Sequence, residues 1–284
     1  MAIDPGFARA YSGIADCRAL QCWFGAIVPR KGAEIAKAAA VRAVELDDSL
    51  SEAHASLALV LFWYEWDWRG AEQEFHRAIE LNPSYAVAHQ WYAAYLNSMG
   101  RIEEGQMELS RARELDPLSL IINANAADPL FFSRKYDQAI EHLRGLLKQQ
   151  PHFSPALFNL GRAYAQKRKY REAISAFEKA LRHSGNRGAS LSLAHSYALA
   201  GRRGKARSVL DDLIKSGKVQ APASPLVAQA YLGLGEIEKA FEWLLKGIEE
   251  RSPWITLLKM DPIYDGIRSD PRFQELLRLI GLPA

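Results

Sequence analysis

The side chains best suited to catalysis or metal binding are few and scattered in this sequence. Seven histidines stand singly, and no H-E-x-x-H, EF-hand or G-x-S-x-G pattern occurs. Cys17 and Cys22 lie five residues apart, a spacing that fits neither a C-x-x-C redox pair nor a four-ligand zinc set. The sequence therefore predicts a protein that is not an enzyme, with no metal site and no cofactor.

One stretch has some likeness to a phosphate-binding loop, namely Gly201-Arg202-Arg203-Gly204-Lys205. It lacks the Walker spacing and the Ser or Thr that ends that motif, and no predicted strand precedes it. We interpret it as a tight turn between two helices.

Composition places the chain among globular proteins. Of its 284 residues, 49% are hydrophobic and 24% are charged, which excludes disordered and collagen-like chains. Two cysteines exclude a disulfide framework, so the prediction is a reducing compartment, the cytoplasm. The longest uncharged apolar run, Ala55 to Tyr64, is far shorter than the ~20 residues that span a bilayer, and the sequence predicts no membrane association.

A fixed period organises most of the chain. Pro83, Pro117 and Pro151 follow one another at intervals of 34 residues. A period of this length is typical of repeat architectures and has priority over local patterns. Small residues recur at intervals of 34, 34, 34, 33 and 34: Ala71, Gly105, Ala139, Ala173, Ala206 and Ala240.

Each unit has the pattern of two helices. Apolar residues fall at i, i+3, i+4 and i+7, as in Leu157, Leu160, Gly161 and Tyr164, which is the spacing of one helical face. A second set with helical spacing follows after a turn. Because antiparallel helices approach closely only where side chains are small, the small residues predict the contact between the paired helices.

The best-formed unit carries a family resemblance. Leu160-Gly161-Arg162-Ala163-Tyr164, followed by Ala173, Phe177 and Ala180, resembles the tetratricopeptide repeat family. The resemblance covers about residues 50 to 250. It implies an all-α fold, a right-handed superhelix of antiparallel helix pairs (an α-solenoid) with a concave groove, closed by C-terminal capping helices.

Three regions follow from the period. Residues 1–48 are predicted to form a degenerate helix pair with an insertion between Trp23 and Lys31, residues 49–252 an array of about six repeats, and residues 253–284 a C-terminal cap. Asp128-Pro129 stands inside a predicted first helix, where proline predicts a kink. Ser216 to Pro225 is the best candidate for a hinge.

Two segments resemble repeat regions at the C-termini of bacterial signalling proteins: Tyr64-Glu65-Trp66-Asp67-Trp68 and the ending from Ser269 to Leu277. In those proteins such regions follow a kinase, cyclase or DNA-binding domain. Ala2-Ile3-Asp4-Pro5 reads like the end of a second helix. We therefore expect the chain to be a module of a larger signalling or regulatory protein.

The resemblance also implies which residues line the groove. In the family, the residues one, five and eight positions after the first packing residue of each first helix form a stripe that faces the concave side. In this sequence the stripe combines apolar and hydrogen-bonding side chains, as a peptide-binding groove does. A solvated inner face without a ligand is the alternative, and the Lys/Asn pairing that holds chaperone C-terminal tails is missing. The aromatic run around Trp63 is either a binding platform or core packing. The candidate residues are Trp63, Gln90, Asn97, Asp128, Phe131, Phe158, Arg162, His195 and Gln229.

Charge is distributed unevenly along the chain. Residues 45–116 carry 5 basic and 14 acidic side chains, whereas residues 160–220 carry 14 basic and 4 acidic ones. Such an asymmetry favours steering of a polar partner or head-to-tail self-association. The second-ranked function is a nucleic-acid-associated regulator that uses the basic face of residues 160–220. Its candidate contacts are Lys167, Arg168, Lys169, Arg171, Arg202, Arg203, Lys205 and Arg207.

Overall fold

The computed structural model describes residues 6–184, 187–216 and 222–282. Within these ranges the chain forms sixteen α-helices and no β-strand. Most of the predicted hinge, residues 217–221, lies outside the described residues. The helices are α1 (Ala8–Trp23), α2 (Pro29–Leu46), α3 (Ser51–Val60), α4 (Trp68–Leu81), α5 (Ala86–Met99), α6 (Ile102–Leu115), α7 (Leu120–Asn125), α8 (Asp128–Phe132), α9 (Tyr136–Gln149), α10 (Ser154–Gln166), α11 (Tyr170–Ser184), α12 (Arg187–Leu199), α13 (Arg203–Lys215), α14 (Ser224–Gly233), α15 (Ile237–Glu249) and α16 (Pro271–Leu279).

Consecutive helices pack in pairs, from α1 with α2 to α14 with α15. In the fourth pair the first helix is split into α7 and α8, and α8 begins directly before Pro129. Proline has no N–H to donate and its ring crowds the preceding turn, so the helix cannot run through this point. The predicted break at Asp128-Pro129 is confirmed.

The small residues stand where the paired helices touch. Ala71, Ala173, Ala206 and Ala240 have no exposed surface. On the facing helix of the fifth pair, a Cβ on Gly161 would lie 2.7 Å from the Phe177 ring. The close approach of the helices therefore requires small side chains at these positions, as the spacing predicts.

The same backbone turn joins the two helices of each pair from the third to the seventh. Its central residue has a left-handed conformation, and the next N–H bonds the carbonyl five residues before it, for example Lys169 N to Tyr164 O at 2.9 Å. This closing bond satisfies carbonyls at the end of the first helix. The central residues are Gly100, Arg134, Arg168, Gly201 and Gly235.

After α15 the chain leaves the repeat pattern. Residues 251–282, the C-terminal segment, form two 3-10 turns (Pro253–Leu257 and Pro262–Ile267) and then α16. Ser252, Asp261 and Asp270 precede these elements, and each side chain accepts a hydrogen bond from the N–H two residues later. Each such cap, followed by proline, fixes the start of its element.

Two glycines test the packing of the helix pairs. Gly161→Ala should lower the free energy of unfolding by about 1–3 kcal/mol, because the new methyl group would overlap the Phe177 ring. Gly145→Ala in α9 is the matched control, since a Cβ there meets nothing within 4 Å. It should stabilise the protein by about 0.4–1 kcal/mol. Urea denaturation followed by circular dichroism measures both, and equal effects would contradict the assigned packing.

Candidate functional site

The face that carries most of the sequence-predicted site residues is formed by the first helices of the pairs. We call the part of this face that α8, α10, α12 and α14 form the groove. A small cavity of about 30 Å³ marks its centre, and Phe131, Arg162, His195 and Gln229 line it from the four helices. Asp261 of the C-terminal segment lines the same cavity. The C-terminal segment therefore occupies the groove.

An ion pair holds the C-terminal segment at the centre of the groove. Arg162 Nη2 lies 3.0 Å from Asp261 Oδ2, and the two side chains are only 15% and 6% exposed. The other oxygen of Asp261 accepts the N–H of Ile263 at 3.1 Å. The guanidinium also lies over the Phe131 ring, 4.2 Å from its centroid. Loss of one partner would leave a buried charge unpaired, which is strongly destabilising.

Asp128 shares the environment of Arg162. Burial raises the pKa of Asp128 to about 6, against the opposing attraction of Arg162 and with a smaller contribution from the Asp261 charge. Arg162 therefore pairs with Asp261 and also attracts the nearby Asp128 carboxylate.

The polar groups of α12 and α14 extend this network. His195 Nδ1 lies 2.6 Å from the carbonyl oxygen of Gln229, so Nδ1 carries the proton and donates. Burial lowers the pKa of His195, which favours the neutral imidazole. Gln229 Nε2 donates to the Tyr264 hydroxyl of the C-terminal segment at 3.2 Å.

Aromatic rings cross from the first helix pair to the fifth. Trp63 stacks on Trp23 with ring centroids 4.5 Å apart, and Trp23 lies 4.8 Å from Trp254. Trp254 in turn lies 6.1 Å from Phe158, which contacts Phe177 at 5.6 Å. These five residues, the aromatic ladder, use Trp254 of the C-terminal segment as the link between distant repeats.

Two further contacts fix the C-terminal segment to other turns. Arg134, at the left-handed position of its turn, forms an ion pair in which its Nη2 contacts both carboxylate oxygens of Asp265, at 2.7 and 2.8 Å. The Trp68 indole donates to the carbonyl of Ile280 at 2.8 Å. The segment is therefore fixed to the second and fourth helix pairs as well as to the groove.

The structure does not bring all the candidates to one place. Phe131, Phe158, Arg162, His195 and Gln229 meet the C-terminal segment or its immediate neighbours, and Asp128 faces Arg162. Gln90 and Asn97 are buried in α5, and a Cβ on Gly105 would lie 2.5 Å from the Asn97 carboxamide oxygen. Asn97 therefore points between the helices of its own pair, because its position faces the small residue of α6.

Trp254, Asp261 and Tyr264 are site residues that the sequence analysis missed. In this segment the sequence pattern is Asp261-Pro262. That pattern indicates the start of a helical turn, but it does not show what the aspartate contacts. The stripe was expected to lie apart from the packed core. Phe158 and Arg162 instead pack against a segment about 100 residues later in the chain.

Other ionisable side chains serve the fold. His54 and His89 occupy equivalent positions and lie 2.5 and 2.6 Å from the carboxylates of Glu74 and Glu108. For His54 the carboxylate contact raises the pKa. Cys17 is exposed and Cys22 is buried. Among the described residues no three metal-ligating side chains come together, and none of their helices is long and apolar enough to cross a membrane.

Several of the basic residues that favoured nucleic acid have partners within the chain. Lys167 lies 2.5 Å from the Asp137 carboxylate, and Arg207 pairs with Glu236. Arg203 donates to the Leu234 carbonyl at 2.5 Å. Lys205 lies over the Tyr197 ring. The two ion pairs lower the net charge that the region offers to a phosphate, and the other two contacts restrict the side chains of Arg203 and Lys205.

Comparisons with known proteins agree with the repeat geometry. Residues 125–188 match the tetratricopeptide repeat family. The solved structure of Pseudomonas aeruginosa pilF is similar with a TM-score of 0.52 and 20% identity, over 81% of this chain and 98% of that one. Yeast Tom70 has a TM-score of 0.57 and 14% identity, over 96% and 58%. The fold is a tetratricopeptide repeat superhelix. The predicted all-α architecture is confirmed.

Two human proteins are also similar. The structure of the IFIT1 dimer with m7Gppp-AAAA has a TM-score of 0.62 and 20% identity, over 88% of this chain and 65% of that one. Protein O-mannosyl-transferase TMTC3 is 28% identical over 151 residues, or 52% of this chain. The matched region spans 16% of that relative's length.

The raised pKa of Asp128 predicts a dependence of stability on pH. Between the ordinary pKa of an aspartate and the raised pKa of about 6, the Asp128 carboxyl binds its proton more tightly in the folded protein than in the unfolded chain. The free energy of unfolding therefore falls as the pH rises through this range. Asp128→Asn removes this cost and should raise the free energy of unfolding at pH 8 by roughly 1–3 kcal/mol.

The advantage of Asp128→Asn should shrink as pH falls from 7 to 4. Urea unfolding of wild type and variant across that range provides the measurement, and Asp48→Asn is the exposed control. A difference that stays constant with pH would contradict the assigned environment of Asp128.

Proposed function

We propose that this chain is a non-catalytic protein-interaction scaffold whose groove binds a peptide or a segment of a partner protein. One observation carries the proposal: the groove already holds a polypeptide, the C-terminal segment, through side-chain contacts. The fold supports it, since tetratricopeptide repeat proteins generally bind protein or peptide partners. In this proposal the chain is a cytoplasmic module of a larger bacterial signalling or regulatory protein.

The chemistry of the groove suits a peptide. Phe158 and the indoles of Trp23 and Trp63 offer apolar contacts, while Arg162 and the Gln229 carboxamide offer hydrogen-bond donors. Binding sites for peptides combine apolar pockets with a few placed polar groups, which fix orientation and register.

The alternative is a nucleic-acid-associated regulator. The observation in its favour is the exposure of Arg168, Lys169 and Arg202 at successive turns of one side of the superhelix. Binding there would depend steeply on salt, because phosphate contacts release counterions. The internal ion pairs of Lys167 and Arg207 weigh against it, so we place it second.

Hydrogen exchange locates the partner site without mutating the groove. The partner is captured from a host lysate, identified by mass spectrometry, purified and added to the full chain. Backbone amides of α10, α12 and α14 should exchange at least fivefold more slowly in the complex, because the partner covers them. Protection confined to α11 and α13 would refute groove binding.

A charge-reversed variant tests the alternative. Arg168→Glu, Lys169→Glu and Arg202→Glu together change exposed turn residues only, so the fold should persist. Partner affinity, measured by calorimetry, should change less than twofold. A loss of tenfold or more, together with an affinity that falls steeply with salt, would favour the nucleic-acid reading.

A further inference from the structure

We propose that residues 251–267 are a displaceable internal ligand of the groove, and that the partner is a peptide with an aromatic side chain seven residues before an aspartate. This inference rests on the proposed function and deepens it, because it assigns the chemistry of the partner. The side chains of the internal ligand define that chemistry, as Trp254 and Asp261 occupy the aromatic and the cationic positions of the groove.

The first argument is electrostatic. The C-terminal segment presents carboxylates to arginines of the repeats, Asp261 to Arg162 and Asp265 to Arg134. Charge-assisted pairs of this kind give register and specificity to an interface. An incoming peptide that replaces the segment must supply a carboxylate to Arg162, since a buried guanidinium without a partner is costly.

The second argument is the type of contact. Residues 253–267 form 3-10 turns whose backbone bonds are local, for example Ile255 N to Ser252 O at 3.1 Å and Tyr264 N to Asp261 O at 3.2 Å. The contacts of the segment come from side chains: an indole, a carboxylate and a phenol, together with the fully buried Ile255 and Leu258. Tryptophan and tyrosine are enriched among residues that dominate binding energy, so this segment has the anchors of a bound peptide.

The third argument is that the ends of the segment are held independently of the groove. α15 ends at Glu249, two residues before Arg251, and α16 packs back on α15. Arg272 of α16 forms an ion pair with Glu238 at 2.7 Å and lies 4.1 Å over the Phe241 ring. When residues 252–268 leave the groove in this proposal, α15 and α16 therefore remain joined.

Tethering determines how strongly the internal ligand competes. A linked ligand acts at an effective concentration in the millimolar range. If it occupies the groove about 99% of the time, the apparent affinity of a competing peptide falls about 100-fold. Weakening the internal ligand should therefore strengthen binding of the same sequence supplied as a separate molecule.

A labelled peptide tests displacement. The probe is a fluorescein-labelled peptide with the sequence of residues 251–268, measured by anisotropy against full-length protein. The open variant carries Trp254→Ala and Asp261→Asn, and Asn retains the side-chain oxygen that caps the second 3-10 turn. The open variant should bind the peptide at least tenfold more tightly than wild type does.

A locked protein is the matched control. Arg134→Cys and Asp265→Cys replace an exposed ion pair in a Cys17→Ser background, and a short bismaleimide joins them. The locked protein should bind the peptide at least tenfold more weakly than the same variant without the cross-linker. Equal binding by both would overturn displacement.

Two altered peptides test the assigned chemistry. An Asp261→Lys peptide and a Trp254→Ala peptide should each bind the open variant at least tenfold more weakly than the parent peptide. Unchanged binding of the Asp261→Lys peptide would refute the requirement for a carboxylate at this position. Failure of the parent peptide to bind an open variant of wild-type helicity would show that the segment is a permanent part of the fold.

If the open variant does not fold, hydrogen exchange of the wild-type protein tests whether the peptide displaces the internal ligand. Amides of residues 253–267 should exchange at least tenfold faster when excess peptide is added, while those of α12 should not change. Unchanged exchange of residues 253–267 would overturn the proposal. Failure of groove binding gives a different result from failure of displacement. In that case the natural partner would protect α11 and α13 from exchange instead of the groove helices.

Discussion

The close approach of two helices at a column of small residues is the constraint on which the structure depends. Ala71, Ala139, Ala173, Ala206 and Ala240 are at most 1% exposed, because each stands at the contact between the helices of its pair. Once that contact is fixed, the turn between the helices and the direction of the next pair follow. The groove is the inner surface that remains.

Local features of this fold could be predicted from the sequence. Gly100, Arg134, Arg168 and Gly201 stand at equivalent positions of successive repeats, at intervals of 34, 34 and 33 residues. The structure places all four in the left-handed conformation. Proline at position 129 predicted the split of the first helix in its pair. Each prediction depends on residues within one repeat, where steric and hydrogen-bonding rules act directly.

The occupancy of the groove could not be predicted in this way. The repeat spacing predicts that Arg162 lies on the inner stripe, but it does not predict its partner Asp261, which is 99 residues later in the chain. A single contact between a repeat and a non-repeating segment produces no period, and Asp261-Pro262 reads as a helix start wherever it occurs. Trp63 shows the same limit, since its stacking partner Trp23 belongs to the degenerate first pair. Sequence patterns place side chains on a face, whereas tertiary packing decides what covers that face.

The hydrogen bond from Trp68 to Ile280, between residues 212 positions apart, changes the folding problem that the chain faces. In an open solenoid each repeat contacts only its neighbours, so folding can start anywhere and the ends fray independently. Here the C-terminal segment touches repeats near the beginning of the chain, which raises the mean sequence separation of native contacts and slows the final step of folding. Those contacts also couple the two halves energetically, so that unfolding of the array becomes more cooperative than nearest-neighbour stacking alone would allow.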